Sequence, residues 1–168
     1  LTGNDGIKVF PDSSHNINIL TQNSTVQFKA GVNTELLNFN LNNLILGSSI
    51  PSVTTGVECV GLGSLVLNAL TSGTENTAIG FLSQRKVTIG TRNTACGSNT
   101  LLNLVSGFDN VAVGSNCLGT NSASDGNTGV GSDCLQLCTG ANNTAVGRST
   151  FLTLAAATQN TALGSGVA

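Results

Sequence analysis

Apolar and polar residues alternate within a short stretch that recurs along the chain. In NTAIG, Asn76, Ala78 and Gly80 fall on one side of the alternation, and Thr77 and Ile79 fall on the other. Successive side chains of a β-strand point to opposite faces, so a period of two predicts a strand. Related pentapeptides follow at even spacing: NTACG, NVAVG, NTGVG, NTAVG and NTALG. We therefore expect one short strand in every copy of a repeat.

The last glycine of each pentapeptide marks the repeat, and neighbouring marks are 16 or 17 residues apart. The marks are Gly47, Gly63, Gly80, Gly97, Gly114, Gly131, Gly147 and Gly164. Four residues before them stand Asn43, Cys59, Asn76, Asn93, Asn110, Asn127, Asn143 and Asn160. Seventeen residues are too few for a helix pair, which takes about 34. Each repeat is therefore predicted to be one coil of a parallel β-solenoid, stacked on the next at ~4.8 Å.

Stacking predicts that each residue lies over its own copy in the next coil. Asparagine over asparagine would form a ladder of side-chain amides, and valine over valine a dry stripe. The segment around the leucine four residues after each mark is predicted to form a second short strand. Glycine, Asn, Ser and Thr supply the corners, where a positive φ is easily adopted by Gly and Asn.

A further column holds only small residues in most repeats, such as Ala78, Ala95 and Gly129. A face without side chains beyond Cβ lets another backbone approach, so either the coil is flat or a neighbouring chain packs there. Both readings predict a thin coil with a limited core, which lateral association would stabilise. This argument favours a homotrimer.

The first part of the chain follows a different pattern, which divides the chain into two regions. GIKVF, NINIL, STVQFKAG and ELLNFNLNNLILG alternate apolar and polar residues, and PDSSHN and AGVN read as turns. Residues 1–40 are therefore predicted to be an N-terminal β segment or connector. Residues 41–168 are predicted to be a solenoid of about seven repeats.

Composition and charge narrow the classes of function. Only 8% of the 168 residues are charged, and the net charge is -2, where about 25% charged residues is usual. The six Lys and Arg residues are spread out, so no nucleic-acid footprint is expected. No apolar run approaches the ~20 residues of a membrane helix, so no membrane insertion is expected. The chain has no Met, which suggests a processed product or a segment of a longer protein.

Catalytic, metal and cofactor sites are not expected. His15 is the only histidine and stands in a turn-like stretch. Glu75 and Asp109 hold the same repeat position, and stacking could bring such carboxylates near the ~5–10 Å of a glycosidase pair. The better interpretation is that Glu75 and Asp109 are solvated residues at the corners of the coil. The remaining carboxylates are Asp5, Asp12, Glu35, Glu58, Asp125 and Asp133. LTGNDG resembles a calcium-binding nonapeptide but occurs once, and zinc lacks a paired C-x-x-C motif.

Two cysteines share a position in adjacent coils. Cys117 and Cys134 each stand three residues after a mark, so stacking would separate their Cα atoms by ~4.8 Å, inside the range for a disulfide. Thr100 and Thr150 stand in the same column, so a small residue is the alternative explanation. A disulfide between Cys117 and Cys134 and two free thiols therefore both remain open.

A column of threonines suggests a second class of function. Thr77, Thr94, Thr128, Thr144 and Thr161 recur once per coil, interrupted by Val111. Regular threonines on a flat solenoid face are typical of ice-binding proteins. The high β propensity of threonine is the simpler explanation. The final stretch, NTALGSGVA, has no evident cap, which predicts either a cut chain or head-to-tail stacking into a filament.

The N-T-A-V-G-S-x-x-L unit resembles the head repeats of trimeric autotransporter adhesins. It is also similar to the N-T-A-V-G-rich repeats of phage and giant-virus tail or surface fibres. The resemblance covers residues 40–168 firmly and residues 1–39 loosely, the latter through the lead-in GIKVFPDSSHNINIL. It implies an extracellular, homotrimeric structural fibre on a virion or cell surface. A receptor on a host or prey surface would be bound by another part of the full protein.

Overall fold

The computed structural model describes residues 28–29, 35–40, 42–47 and 55–168. These residues form an all-β fold, as the alternating pattern predicted, and each complete repeat contributes one strand of three residues. The strands are β1 (Phe28–Lys29), β2 (Glu35–Asn40), β3 (Asn43–Leu46), β4 (Val60–Leu62), β5 (Thr77–Ile79), β6 (Thr94–Cys96), β7 (Val111–Val113), β8 (Thr128–Val130), β9 (Thr144–Val146) and β10 (Thr161–Leu163).

One sheet contains all of these strands, in the order of the chain. From β3 to β10 each strand pairs in parallel with the next, and equivalent residues are partners. Thr77 pairs with Thr94, for example, and Ala78 with Ala95. The chain therefore forms a parallel β-solenoid of about seven turns with coils of about 17 residues, as predicted.

The N-terminal segment reaches the solenoid through antiparallel pairs. β1 pairs with β2, and β2 pairs with β3, where Asn40 lies opposite Asn43. A tight turn at Asn42, with φ 61°, connects β2 to β3. The strands predicted in GIKVF and NINIL, and the turn predicted at PDSSHN, lie outside the described residues.

The prediction of a second strand around the leucine of each repeat is wrong. These segments form turns in which two residues adopt a positive φ, such as Asn99 (57°) and Leu101 (47°). The tight path places consecutive residues on one side of the chain: Thr100 and Leu101 are both fully buried. An extended strand would send them to opposite faces. The turn suits the coil because it delivers two adjacent side chains to a narrow interior.

The core consists of columns of side chains that repeat from coil to coil. One column holds the leucines predicted from the repeat, namely Leu67, Leu101, Leu118 and Leu135, with Gln84 and Phe151 at equivalent positions. A second column three residues further on holds Leu70, Val87, Leu104, Asn121 and Cys138. The middle residue of each strand closes the opposite side of the interior, and Ala78, Ala95, Ala112 and Ala145 are fully buried there. The column of alanine and glycine thus faces the interior. Of the two alternatives for this column, a flat coil or a neighbouring chain packed against it, the structure supports the flat coil.

Candidate functional site

The predicted ladder asparagines lie inside the coil and satisfy one another's amides. Asn76, Asn93, Asn110, Asn127 and Asn143 are fully buried, and Asn160 is half-buried. Asn110 shows the pattern: its Nδ2 donates to Asn93 Oδ1 (3.0 Å) and to the carbonyl oxygen of Ser124 (2.9 Å). Its Oδ1 accepts from the backbone N–H (3.0 Å) and the Nδ2 (3.3 Å) of Asn127. Both amide hydrogens and both lone pairs are therefore used.

The ladder is interrupted at Cys59. Its Sγ stands where an Oδ1 would accept, 3.4 Å from the backbone nitrogen of Asn76 and 4.0 Å from its Nδ2. The Cys59 backbone N–H still donates to Asn43 Oδ1 at 2.7 Å. Burial raises the pKa of the Cys59 thiol, so the thiol remains neutral. Sulfur accepts hydrogen bonds only weakly, and this step is therefore the weakest in the ladder.

The mark glycines Gly80, Gly97, Gly114, Gly131, Gly147 and Gly164 stack backbone against backbone. Their φ angles lie between 120° and 137°, a region that side-chain-bearing residues rarely adopt. A Cβ on Gly114 would overlap the carbonyl oxygen of Gly131 and would lie only 2.6 Å from the carbonyl carbon of Gly131. Glycine is therefore required twice, by the φ angle and by the approach of the next coil.

Charged residues occupy exposed corners, one position before the ladder. Glu75, Arg92 and Asp109 adopt positive φ angles there, in successive coils. Arg92 Nε lies 2.7 Å from Asp109 Oδ1, and this hydrogen bond holds the pKa of the Asp109 carboxyl below its usual value. Asp5, Asp12 and His15 lie outside the described residues. Among the described residues, no group of three or more His, Cys, Asp or Glu side chains could hold a metal ion.

Hydroxyl and thiol groups line a further interior column, three residues after each mark. Ser83, Thr100, Cys117, Cys134 and Thr150 are fully buried in it. Cys117 and Cys134 are free thiols in this structure. The hydrogen bond between them and burial raise the pKa of Cys117, whereas accepting that bond lowers the pKa of Cys134.

The outer side of the strands carries the candidate interaction surface, which we call the outer strand face. It consists of the first and third residues of each solenoid strand, which flank the inward alanine or glycine. The first residues form the column Val60, Thr77, Thr94, Val111, Thr128, Thr144 and Thr161, and the third residues form the column Leu62, Ile79, Cys96, Val113, Val130, Val146 and Leu163. Register pairing stacks each member on its equivalent in the next coil.

This face is uncharged and at least partly exposed, with one column made mostly of threonine and the other apolar. Ile79 and Val113 are 37% exposed, and Leu163 is 79% exposed. Neither of its columns contains an ionisable side chain apart from the Cys96 thiol. Because the coils are in register, the two columns form parallel rows with one residue of each per coil. An exposed apolar row that extends over several coils is typical of a contact surface.

Comparisons with known proteins give no relative. No family model matches the chain, and no curated protein or solved structure matches it. Within the described residues, no helix is long and apolar enough to cross a membrane. The outer strand face must therefore be interpreted from its own chemistry.

Sequence reasoning overlooked two interior features. The column of Leu70, Val87, Leu104, Asn121 and Cys138 follows the same spacing as the other columns, and that spacing could have revealed it. Gln84 replaces a leucine in the core, where its Nε2 donates to the carbonyl oxygens of Thr77 and Asn93, each at 2.9 Å. Its Oε1 is buried without a partner. The missing leucine in the fourth position after Gly80 is the signal that could have identified it.

Proposed function

We propose that this chain is a structural segment of an extracellular fibre, either a virion tail or surface fibre or a cell-surface adhesin. In this proposal three copies associate side by side through the outer strand face and form a stiff, protease-resistant rod. Receptor binding on a host or prey surface belongs to another part of the fibre. The observation that carries the proposal is the uncharged outer strand face with its apolar row, which repeats in every coil.

A second copy of the chain is the partner that fits this periodicity. The apolar row and the threonine row each add one residue per coil, at the spacing of parallel strands, ~4.8 Å. Another copy presents rows of the same spacing, so each Val113-type side chain can meet an equivalent group over the whole length. The face offers no charge for an electrostatic partner to complement. Repetition then extends the interface as far as it extends the rod.

The composition of the coil interior also favours association. Alanine and asparagine occupy much of the interior, and no aromatic residue among residues 55–168 is fully buried. Burial of apolar area stabilises by roughly 25 cal/mol per Å², so small side chains contribute little each. Covering Ile79, Val113, Val130 and their equivalents would add apolar contacts that the single chain lacks. Protease resistance would follow because the stacked backbone is already hydrogen-bonded from coil to coil.

The mass in solution tests this proposal, measured by multi-angle light scattering with and without reductant. We expect three times the chain mass of 16.9 kDa. A stable monomer in both conditions would overturn the trimer, and particles of heterogeneous large mass would favour end-to-end stacking instead.

Paired variants then locate the contact. Val113→Lys with Val130→Lys places two charges on the outer strand face, and we expect it to convert trimer to monomer. The matched control is Ala123→Lys with Thr139→Lys, which adds the same charges at exposed positions outside the strands. Circular dichroism reports whether each variant keeps its β structure. A trimer that survives the first pair, in a folded protein, would place the contact elsewhere.

The same face supports one further candidate function: a monomeric solenoid that binds an ordered surface such as ice or a glycan. Next to the threonine column runs a parallel row in which Ile79, Val113, Val130 and Val146 are β-branched, because the first and third residues of a strand, such as Thr128 and Val130, lie on the same side. Two regular rows form a two-wide array, which a single threonine column does not. Thermal hysteresis of a monomeric preparation tests this function, and Thr128→Lys with Thr144→Lys should abolish it.

A further inference from the structure

The buried column three residues after each mark brings side chains of successive coils into direct contact. Ser83 Oγ and Thr100 Oγ1 are 3.0 Å apart, although 17 residues separate them in the chain. Cys117 and Cys134 are the next equivalent pair, again 17 residues apart and fully buried. Neighbours in this column therefore face each other at their γ atoms.

A third residue makes room for the two sulfurs. The middle residue of β8 is Gly129, where β5, β6, β7 and β9 have alanine. A Cβ on Gly129 would lie 2.5 Å from Cys117 Sγ and 3.7 Å from Cys134 Sγ. Gly61 is the other glycine of this column, and it lies against Ile45 and Val66. At Gly61 and at Gly129, glycine replaces the usual alanine where the side chains around it are larger than in other coils. Gly129 therefore provides the space that the two cysteine sulfurs occupy.

The other cysteines are placed differently. Cys59 belongs to the asparagine ladder, and Cys96 lies on the outer strand face. Cys138 Sγ contacts Asn143 Nδ2 at 3.5 Å and the carbonyl oxygen of Gly140 at 3.6 Å. Cys117 and Cys134 are thus the one pair of cysteines that holds equivalent positions in adjacent coils.

We propose that Cys117 and Cys134 are a covalent modification site, at which oxidation forms a disulfide between adjacent coils. Because both thiols are fully buried, the oxidant must be small, and hydrogen peroxide meets this requirement. The thiolate of Cys134 attacks one oxygen of hydrogen peroxide, the O–O bond breaks, and hydroxide leaves a sulfenic acid on Cys134. The thiolate of Cys117 then attacks the Cys134 sulfur and releases the second hydroxide. The two cysteines lose two protons and two electrons, and one hydrogen peroxide becomes two waters. The lowered pKa of Cys134 agrees with its role as the first nucleophile.

Thiol counting tests the site in the folded chain. The protein is incubated with one molar equivalent of hydrogen peroxide, denatured in guanidinium with N-ethylmaleimide, and weighed intact. We expect three alkylated cysteines, compared with five after reduction, and a thermal midpoint roughly 5–10 °C higher in the oxidised form. Five alkylated cysteines after oxidation, or oxygen adducts without loss of a pair, would overturn the proposal.

Single variants identify the pair. Cys117→Ser and Cys134→Ser should each abolish the internal disulfide, and folding should survive because serine stands at this position in Ser83. Cys96→Ser and Cys138→Ser are the controls, and each should still lose two thiols on oxidation. Loss of the disulfide in Cys138→Ser but not in Cys117→Ser would assign the bond to another pair and contradict the proposal.

Discussion

Asn93 and Thr94 are adjacent in the chain and recur with the same spacing, yet they occupy opposite environments. Asn93 is buried, and it is bonded to the asparagines of the coils on both sides. The threonine column lies on the outer strand face, together with the apolar column two residues further along each strand. Thr94 and Cys96 are exposed there. Uniform repetition therefore reaches two environments in one repeat. Inside, each residue must match its own copy; outside, no contact within the single chain demands the match, and the proposed association would supply one.

The two sides differ in what a substitution leaves behind. An interior change strands buried polar groups or forces backbones apart, and both effects destabilise the folded chain. A change on the outer strand face leaves only solvent-exposed groups, so it should act on association and hardly on folding. The following variants break or sharpen this contrast, from the largest expected effect to the smallest.

Gly114→Ala should break the interior stack most severely. The new Cβ would overlap the carbonyl of Gly131, at a residue whose φ of 129° already excludes most side chains. We expect a loss of about 4 kcal/mol or more in the free energy of unfolding, or failure to fold, measured by guanidinium denaturation. The control is Gly119→Ala in the same coil, where the nearest atom would be 3.3 Å away. Equal stability of the two variants would contradict the stacking argument.

Asn110→Ala should open a gap in the middle of the ladder. It removes the acceptor of the Asn127 backbone N–H and the donor to the Ser124 carbonyl, both in the interior. We expect a loss of about 3 kcal/mol in unfolding free energy. Thr94→Ala, on the outer strand face, should change it by about 0.5 kcal/mol or less. A comparable loss in both would mean that the two columns do not differ as described.

Gln84→Leu should sharpen the contrast by making the core column uniform. It removes a buried oxygen without a partner, and leucine already adopts the required φ at Leu101 and Leu118. The Thr77 and Asn93 carbonyls lose a side-chain donor, which reduces the gain. We expect stabilisation by about 1–2 kcal/mol in thermal or chemical unfolding. Gln84→Ala should instead destabilise, since it leaves a cavity; stabilisation by alanine would show that packing is unimportant here.

Cys59→Asn should complete the ladder between Asn43 and Asn76. The new Oδ1 would replace sulfur as the acceptor for the Asn76 N–H, and its Nδ2 would face Asn43 Oδ1. We expect a gain of about 1 kcal/mol in unfolding free energy. Cys59→Ala removes the sulfur without supplying an amide and serves as the comparison. If Cys59→Ala gained the same stability as Cys59→Asn, the gain would come from the loss of the sulfur and not from the new amide.

The sequence alone predicted much of the solenoid because its signals are local and repeated. Period two within Thr94–Cys96 identified the strand, and the regular glycines identified the coil. The turn after each mark was mistaken for a strand because Asn99 and Leu101 adopt positive φ angles that their residue types do not announce. Leucine is a poor indicator of left-handed backbone. Only the stack of equivalent turns above and below holds it there.

The candidate surface was harder to predict than the fold. Alternation showed that Ala95 and Thr94 lie on opposite faces but did not say which face is inside. The leucine turn decides this, because Leu101 closes the interior opposite the alanine. What contacts the outer strand face involves a second body, and no pattern within one chain specifies it. The trimer, the fibre and the location of the protein therefore remain proposals.

The bonds between coils are interchangeable, and this has a consequence for how such a chain can change over generations. Asn93, Asn110 and Asn127 make the same contacts upward and downward, so coils that carry this asparagine can follow one another. A gene duplication that copies one whole coil would insert a new layer without creating an unmatched surface. A deletion of one whole coil would likewise leave both neighbours bonded. Length is therefore a heritable trait that can vary in discrete steps while the fold stays constant.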